Sequence, residues 1–134
     1  MNYYVLDTYA WIEYFEGTSQ GHFVKELVES KRDQYLFTPA IVLAELADAL
    51  VKGKLSLPGE DLLYFVKQTT TLIPLSEDIA YLAGTLKRQI RKKHSDFGLI
   101  DALVLATAHV GRAQLVTGDP HLVGERGVVD LRSR

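Results

Sequence analysis

The chain has 134 residues, 47% of them hydrophobic and 24% charged, a balance that fits one ordinary globular domain with a buried core. There is no cysteine, which excludes disulfides, zinc–thiolate centres and cysteine nucleophiles. The net charge of -2 excludes a generic polyanion binder, so any contact with nucleic acid must be local or assisted by cations.

No uninterrupted apolar run is long enough to span a bilayer, and the first residues lack the basic and apolar segments of a signal peptide. The expectation is a single cytoplasmic domain over residues 1–134. Tyr3-Tyr4-Val5-Leu6 opens it as a run of strand formers. Helical patterns follow over residues 10–15 and 22–30. Tyr35-Leu36-Phe37 is a second strand run. Thr38 and Pro39 then read as an N-cap and a first helical position, for a helix over 39–52 that Gly53 ends. Pro58 starts a helix over 58–69 by the same logic, with Gly59 a weak point. Leu72-Ile73-Pro74 is a short third strand run whose proline marks an end or an edge. Ser76 caps a helix that runs towards Arg91, with Glu77 and Asp78 in its first turn. Ser95 or Asp96 caps the next, which continues to Val110, with Gly111 after it. Gln114-Leu115-Val116-Thr117 and Val128-Val129-Asp130-Leu131 are the fourth and fifth strand runs. Strands separated by helices pair in parallel through right-handed crossovers. The predicted fold is therefore an α/β three-layer α/β/α sandwich around a central parallel sheet of about five strands. Sites in such sheets form outside the carboxyl ends of the strands.

Most of the 17 acidic residues stand in polar surroundings, but four do not. Asp101 lies in Phe97-Gly98-Leu99-Ile100-Asp101-Ala102-Leu103-Val104-Leu105-Ala106, a helix apolar almost all round and so expected to be buried. An ionised carboxylate there is costly unless it is paired, hydrogen-bonded by backbone N–H groups, or bound to metal. Glu45 repeats the pattern in Val42-Leu43-Ala44-Glu45-Leu46-Ala47, with a buried salt bridge as its structural alternative. Its length and the N-terminal lean of helical side chains let it reach towards the strand ends. Asp7 follows the first strand, where an N-cap is the alternative. Asp119 follows the fourth strand in Thr117-Gly118-Asp119-Pro120, where a turn residue is the alternative. All four fall near one edge of the predicted sheet. Like charges so placed repel, and a divalent cation removes the conflict. Oxygen ligands without cysteine or a histidine cluster point to Mg²⁺ or Mn²⁺, the ions suited to phosphodiester hydrolysis.

The same residues carry a family resemblance. Asp7-Thr8-Tyr9-Ala10-Trp11-Ile12, Glu45 within Val42-Leu43-Ala44-Glu45-Leu46, Asp101-Ala102-Leu103-Val104-Leu105-Ala106-Thr107-Ala108, and Thr117-Gly118-Asp119-Pro120-His121-Leu122 resemble the four motifs of PIN-domain proteins, in order and across nearly the whole chain. The likeness is closest to VapC-type ribonuclease toxins. It implies a PIN fold, RNA cleavage dependent on Mg²⁺ or Mn²⁺, inhibition by a cognate VapB-type antitoxin, and a homodimer. Asp7, Glu45, Asp101 and Asp119 become the catalytic metal ligands, and the Thr8 and Thr117 hydroxyls support them. Tyr9 departs from the Ser or Asn that many members carry after the Asp-Thr pair, so no role is carried over to it.

Lys87, Arg88, Arg91, Lys92, Lys93 and His94 form a basic run before the Asp101 helix. It reads either as a phosphate-contacting patch or, by preference, as cations completing a helix C-terminus. Asp48 and Asp96 read either as groups supporting the site from behind or, by preference, as a surface acid or partner of Lys52 and as an N-cap; His121 reads as a substrate contact or, by preference, as incidental; and Trp11, Tyr14 and Phe15 read as packing in preference to base stacking, with a dimer surface as the alternative. Two rivals to a nuclease stand. One is a receiver-like Mg²⁺-binding signalling module, although Thr8 replaces a second adjacent acid and no lysine follows Val116. The other is a catalytically silent PIN scaffold.

Overall fold

The computed structural model describes residues 2–30, 34–55 and 59–134. The five runs of strand formers become β1 (Asn2–Leu6), β2 (Gln34–Pro39), β3 (Thr71–Ile73), β4 (Gln114–Thr117) and β5 (Val128–Asp130). Between them lie α1 (Thr8–Glu16), α2 (Gly21–Glu29), α3 (Ala40–Val51), α4 (Gly59–Thr69), α5 (Glu77–Ile90) and α6 (Leu99–Val110). A short 3-10 turn over Leu131–Ser133 follows β5, so Leu131 leaves the strand that the sequence predicts for it. The strands form one sheet in the order β3-β2-β1-β4-β5, with every pairing parallel.

That order places the site. From β1 the chain steps outward to β2 and β3, then crosses back from the far edge to β4 on the other side of β1. Right-handed crossovers in opposite directions put their helices on opposite faces, which gives the expected α/β/α sandwich. The strand order reverses between β1 and β4, and the carboxyl ends of those two strands are the place where such sheets hold ligands. Val5 and Leu6 of β1 and Leu115 and Val116 of β4 are buried, as central strands covered on both faces require. No helix of the described residues is long and apolar enough to cross a membrane.

Several local expectations hold. Ser76 caps α5 by accepting the Ile79 N–H. Gly53, at φ +70°, follows the C-terminus of α3, where the left-handed region favours glycine. Asp48 pairs with Lys52 at 2.8 Å. Trp11, Tyr14 and Phe15 pack with Phe65 of α4 in an aromatic cluster, at centroid separations of 5.3–6.3 Å. Pro58, read as a first helical position, lies outside the described residues.

Two helix starts differ from expectation. Thr38 is no N-cap, because the following proline disfavours helical backbone at Thr38 and pairing with β3 extends β2 through Pro39. Pro39 itself stands at the N-cap with extended backbone. The Thr38 hydroxyl, fully buried, accepts the Trp11 indole N–H at 3.1 Å. It lies 2.7 Å from the Thr70 hydroxyl, which donates onward to the Val66 carbonyl. The second difference is that α6 starts at Leu99 with Gly98 as N-cap, not at Ser95 or Asp96. Buried Phe97 and its N–H bond to the His94 carbonyl anchor a turn there, and the Asp96 side chain turns to another partner.

Thr38 thus joins α1, β2 and the end of α4. Thr38→Val leaves the buried Trp11 N–H without an acceptor and is expected to cost roughly 1–3 kcal/mol, read as a lowered denaturant midpoint at unchanged m-value.

Candidate functional site

Leu6 of β1 pairs with Val116 of β4, so the next residues, Asp7 and Thr117, meet at the carboxyl edge of the sheet. Asp7 is only 4% exposed. Its carboxylate accepts the Ala10 N–H at 2.9 Å as the N-cap of α1, and it also accepts the Thr117 hydroxyl. Asp7 is therefore the N-cap that the sequence offered as its alternative, and it stands at the carboxyl edge where the site reading placed it. Thr117 in turn accepts the Asp119 N–H at 3.0 Å, tying the two acidic loops together. Asp119 accepts the His121 N–H at 2.9 Å, so it is a turn residue as well as a member of the cluster.

Glu45 reaches in from α3. Its Oε1 accepts the Thr8 hydroxyl at 2.6 Å, a neutral donor where a buried salt bridge had been the alternative. Asp101 sits in the first turn of α6 and accepts the Gly98 N–H at 3.2 Å. Because the helix begins later than expected, Asp101 lies half-buried at its mouth rather than deep among apolar side chains, and Leu99 and Ile100 beside it are exposed.

The electrostatics bind these groups into one unit. Burial pushes Asp7 up to about 7, against the Thr117 and Ala10 hydrogen bonds, and the charges of Asp119 and Glu45 push the same way. Burial also raises Glu45, against its Thr8 bond and with the charges of Asp101 and Asp119. Asp101 is raised by burial, against the Gly98 N–H, with Asp119 adding to the rise. Among the described residues no lysine or arginine lies within ion-pair distance of the four acids; the one basic side chain at that distance is the His121 imidazole, beside Asp101 and Asp119. Ionised together at one sheet edge, these acids need a positive partner, and hard oxygen donors so placed suit a divalent cation, although only Asp101 and Asp119 among them bring ligand atoms within 4.8 Å of each other and of His121. The residues present therefore fit the metal that the resemblance implies.

His121, which the sequence offered only as a substrate contact or an incidental loop residue, stands among the acids. Its Nδ1 stands 3.3 Å from Asp119 Oδ1 and 3.7 Å from Asp101 Oδ2, while Nε2 is 2.9 Å from Asp96 Oδ2. One ligand atom each from Asp101, Asp119 and His121 lies within 4.8 Å of the others. The available signal was a histidine two positions beyond Asp119 in the loop after β4. Asp96, expected as an N-cap, is instead the partner of this imidazole. Tyr9 also has a place. Its hydroxyl donates to Gln20 at 2.5 Å, and its ring lies so close under Gly118 that an added Cβ would stand 2.3 Å from Cε1.

Two outcomes follow from this geometry. Gly118→Ala is expected to cost about 1–3 kcal/mol, and the smaller ring-free variant Tyr9→Ser to relieve most of that cost in the double mutant, measured as a coupling energy by chemical denaturation. The second concerns pH. Asp7 keeps its proton to about 7 when folded, against 3.8 in an ordinary setting, so between those values the native state holds more protons than the unfolded one. Stability without divalent cations is then expected to fall as pH rises from about 4 to about 7, and to level off above. Asp7→Asn, which can still accept the Ala10 N–H, is expected to flatten that decline and to be the more stable protein at pH 8; a melting curve series with chelator checks it.

The sequence matches the PIN domain family over residues 4–123. It matches no curated protein. Among solved structures, the fold is similar to a toxin–antitoxin complex from Klebsiella pneumoniae, with a TM-score of 0.72 and 24% identity over 95% of this chain and 96% of that one. It is similar also to VapBC-1 from nontypeable Haemophilus influenzae, at a TM-score of 0.71 and 18% identity over 97% and 98% of the two chains. A third is VapC20 from Mycobacterium tuberculosis, a sarcin–ricin loop cleaving toxin, at a TM-score of 0.66 and 17% identity over 87% and 90%. These likenesses extend the agreement in fold across the sheet and both helical layers. With the family model spanning all four acidic segments, the chain belongs to the PIN domain family.

Proposed function

We propose that the protein is a metal-dependent endoribonuclease, the toxin of a VapBC-type pair. The observation that carries this reading is the gathering of Asp7, Glu45, Asp101 and Asp119 at one sheet edge, three of them with raised pKa and none facing a lysine or arginine among the described residues. These four acids are the proposed ligands of Mg²⁺ or Mn²⁺. Bound there, the cation would supply Lewis acidity at the phosphate and lower the pKa of an attacking water.

The chain's own residues prepare that site. Thr117 holds Asp7 against β4, and Thr8 holds the Glu45 carboxylate towards Asp7's loop. The Gly98 N–H fixes Asp101 at the opening of α6. Orientation by neutral donors leaves each carboxylate its charge for the cation.

RNA as the substrate is supported by the family resemblance and by the name of one structural relative as a sarcin–ricin loop cleaving toxin. Arg91, Lys92, Lys93 and His94, exposed in the turn that leads to Asp96, offer local attraction for phosphates despite the net negative charge. Lys87 and Arg88 stand in the last turn of α5, where they also complement the helix terminus. A VapB-type antitoxin as partner is supported by the VapBC complexes among the structural relatives. A homodimer is supported by an apolar cleft that Ile41, Ala44, Leu75, Ile79 and Leu103 line, with Leu75 62% exposed. A single cytoplasmic PIN domain is the setting we propose for all of this.

The test is cleavage of total cellular RNA with Mg²⁺ or Mn²⁺ and with chelator. Asp101→Asn keeps an acceptor for the Gly98 N–H, so it should fold like the wild type. Its cleavage rate should drop by more than about 100-fold. Equal rates in the two proteins would sink the assignment.

A further inference from the structure

We propose that His121 is a nitrogen ligand of the metal centre, held in place by Asp96, and that it tilts the site towards Mn²⁺ over Mg²⁺. This rests on the proposed metal site, and it adds to the four acids a residue of different chemistry.

The Asp96 carboxylate can only accept, so the 2.9 Å contact places a proton on His121 Nε2. The other ring nitrogen, Nδ1, faces Asp119 Oδ1 at 3.3 Å and Asp101 Oδ2 at 3.7 Å, so a cation seated between them would take the lone pair that Nδ1 offers once its proton is displaced. Three electron-pair donors thus converge on one point, all within 4.8 Å of each other. Neighbouring ligands of a six-coordinate ion with bonds of ~2.1 Å stand ~3 Å apart, close to these separations. Metal-binding histidines almost always give their second ring N–H to a carboxylate, which fixes the ring and raises its basicity. Asp96 stands in that position. Its side chain is 73% exposed, and it does not cap α6, whose N-cap is Gly98.

The rest of the loop supports the ring. Asp119 accepts the backbone N–H of His121, and Leu122, next in the chain, is buried, so the imidazole is carried on an anchored turn. The consequence is selectivity. Magnesium keeps to oxygen ligands and its own waters, whereas Mn²⁺, although the weakest nitrogen binder of the first-row transition ions, accepts an imidazole more readily than Mg²⁺ does. A site of carboxylates alone would lack this bias.

The experiment uses the full chain without substrate. Mn²⁺ alone and Mg²⁺ alone are titrated by calorimetry, and bound Mn²⁺ is examined by pulsed electron paramagnetic resonance for coupling to a ¹⁴N nucleus. Wild type, His121→Ala, Asp96→Ala and Asp101→Asn are compared, with circular dichroism to confirm the fold. Expected are a ¹⁴N coupling in the wild type, its loss in His121→Ala, and Mn²⁺ binding weakened by about tenfold or more in that variant. Mg²⁺ affinity should change less. Asp96→Ala should keep the coupling but bind Mn²⁺ about tenfold more weakly. Bound Mn²⁺ without ¹⁴N coupling, and an unchanged preference in His121→Ala, would overturn the role of His121 while weaker binding by Asp101→Asn left the carboxylate site standing; His121 would then be an ion-paired imidazolium. If the wild type binds no Mn²⁺, or Asp101→Asn binds it equally, the carboxylate site fails and the nitrogen ligand with it.

Discussion

Like charges gathered at one edge of a sheet must be held there against their repulsion, and the fold of this protein is arranged around that problem. The β1–β4 switch point brings Asp7 and Thr117 together because Leu6 and Val116 are in register. Two helices then aim their N-termini at the same place: α1, which Asp7 caps, and α6, which carries Asp101 in its first turn. Both ends offer backbone N–H groups and the positive end of a helix dipole. These fixed partial charges are the neutral scaffold on which the carboxylates rest. They moderate the repulsion without cancelling it, since burial still lifts Asp7, Glu45 and Asp101 above their ordinary values.

The elements that supply the acids are locked to one another by few, well-placed contacts. Trp11 of α1 reaches Thr38 at the end of β2, just before the helix that bears Glu45. Thr8 crosses to Glu45 itself. Tyr9 lies beneath Gly118, and Thr117 binds the Asp119 N–H, so the β4 loop is fixed from both sides. Thr8, Tyr9 and Trp11, just after the Asp7 cap, therefore touch the Glu45 arm, the β4 loop and the end of β2. The tyrosine that departs from the family pattern is a packing element against the loop's glycine, and only a residue without a Cβ at position 118 leaves room for its ring.

Much of this was legible in the sequence, for identifiable reasons. The strand runs are short, rich in β-branched and aromatic residues, and separated by helices, which fixes a parallel sheet. Asp7 and Asp119 could be placed because each follows a strand, and Glu45 because it interrupts an apolar helix. What escaped depends on contacts between distant residues. Thr38 before a proline looks like a cap, but strand pairing with Thr71–Ile73 outweighs that local preference. Ser95 and Asp96 look like caps too, but burial of Phe97 delays the helix, and Asp96 finds an imidazole 25 residues away. No local pattern encodes that pair. The helix's later start also explains why Asp101 is half-buried at a rim, where a ligand can approach it.

The pairing of the acids separates structural from functional use. Asp48 meets Lys52 one helical turn on, and Asp130 meets Arg132, whose guanidinium holds the Asp130 carboxyl below the usual range. Such acids cost the fold little, because their charge is answered on the spot or in water. Among the described residues the acids at the switch point have no such answer beyond one imidazole, and burial penalises the charge of Asp7, Glu45 and Asp101. Amides in their places could accept the same hydrogen bonds without the repulsion. On the metal-dependent reading we propose, the carboxylates are groups whose charge is needed, and whose missing counter-charge would arrive from outside the chain. Stability and activity would then be set by one equilibrium: a cation that binds the native cluster and not the unfolded chain would stabilise the fold more the tighter it binds the site.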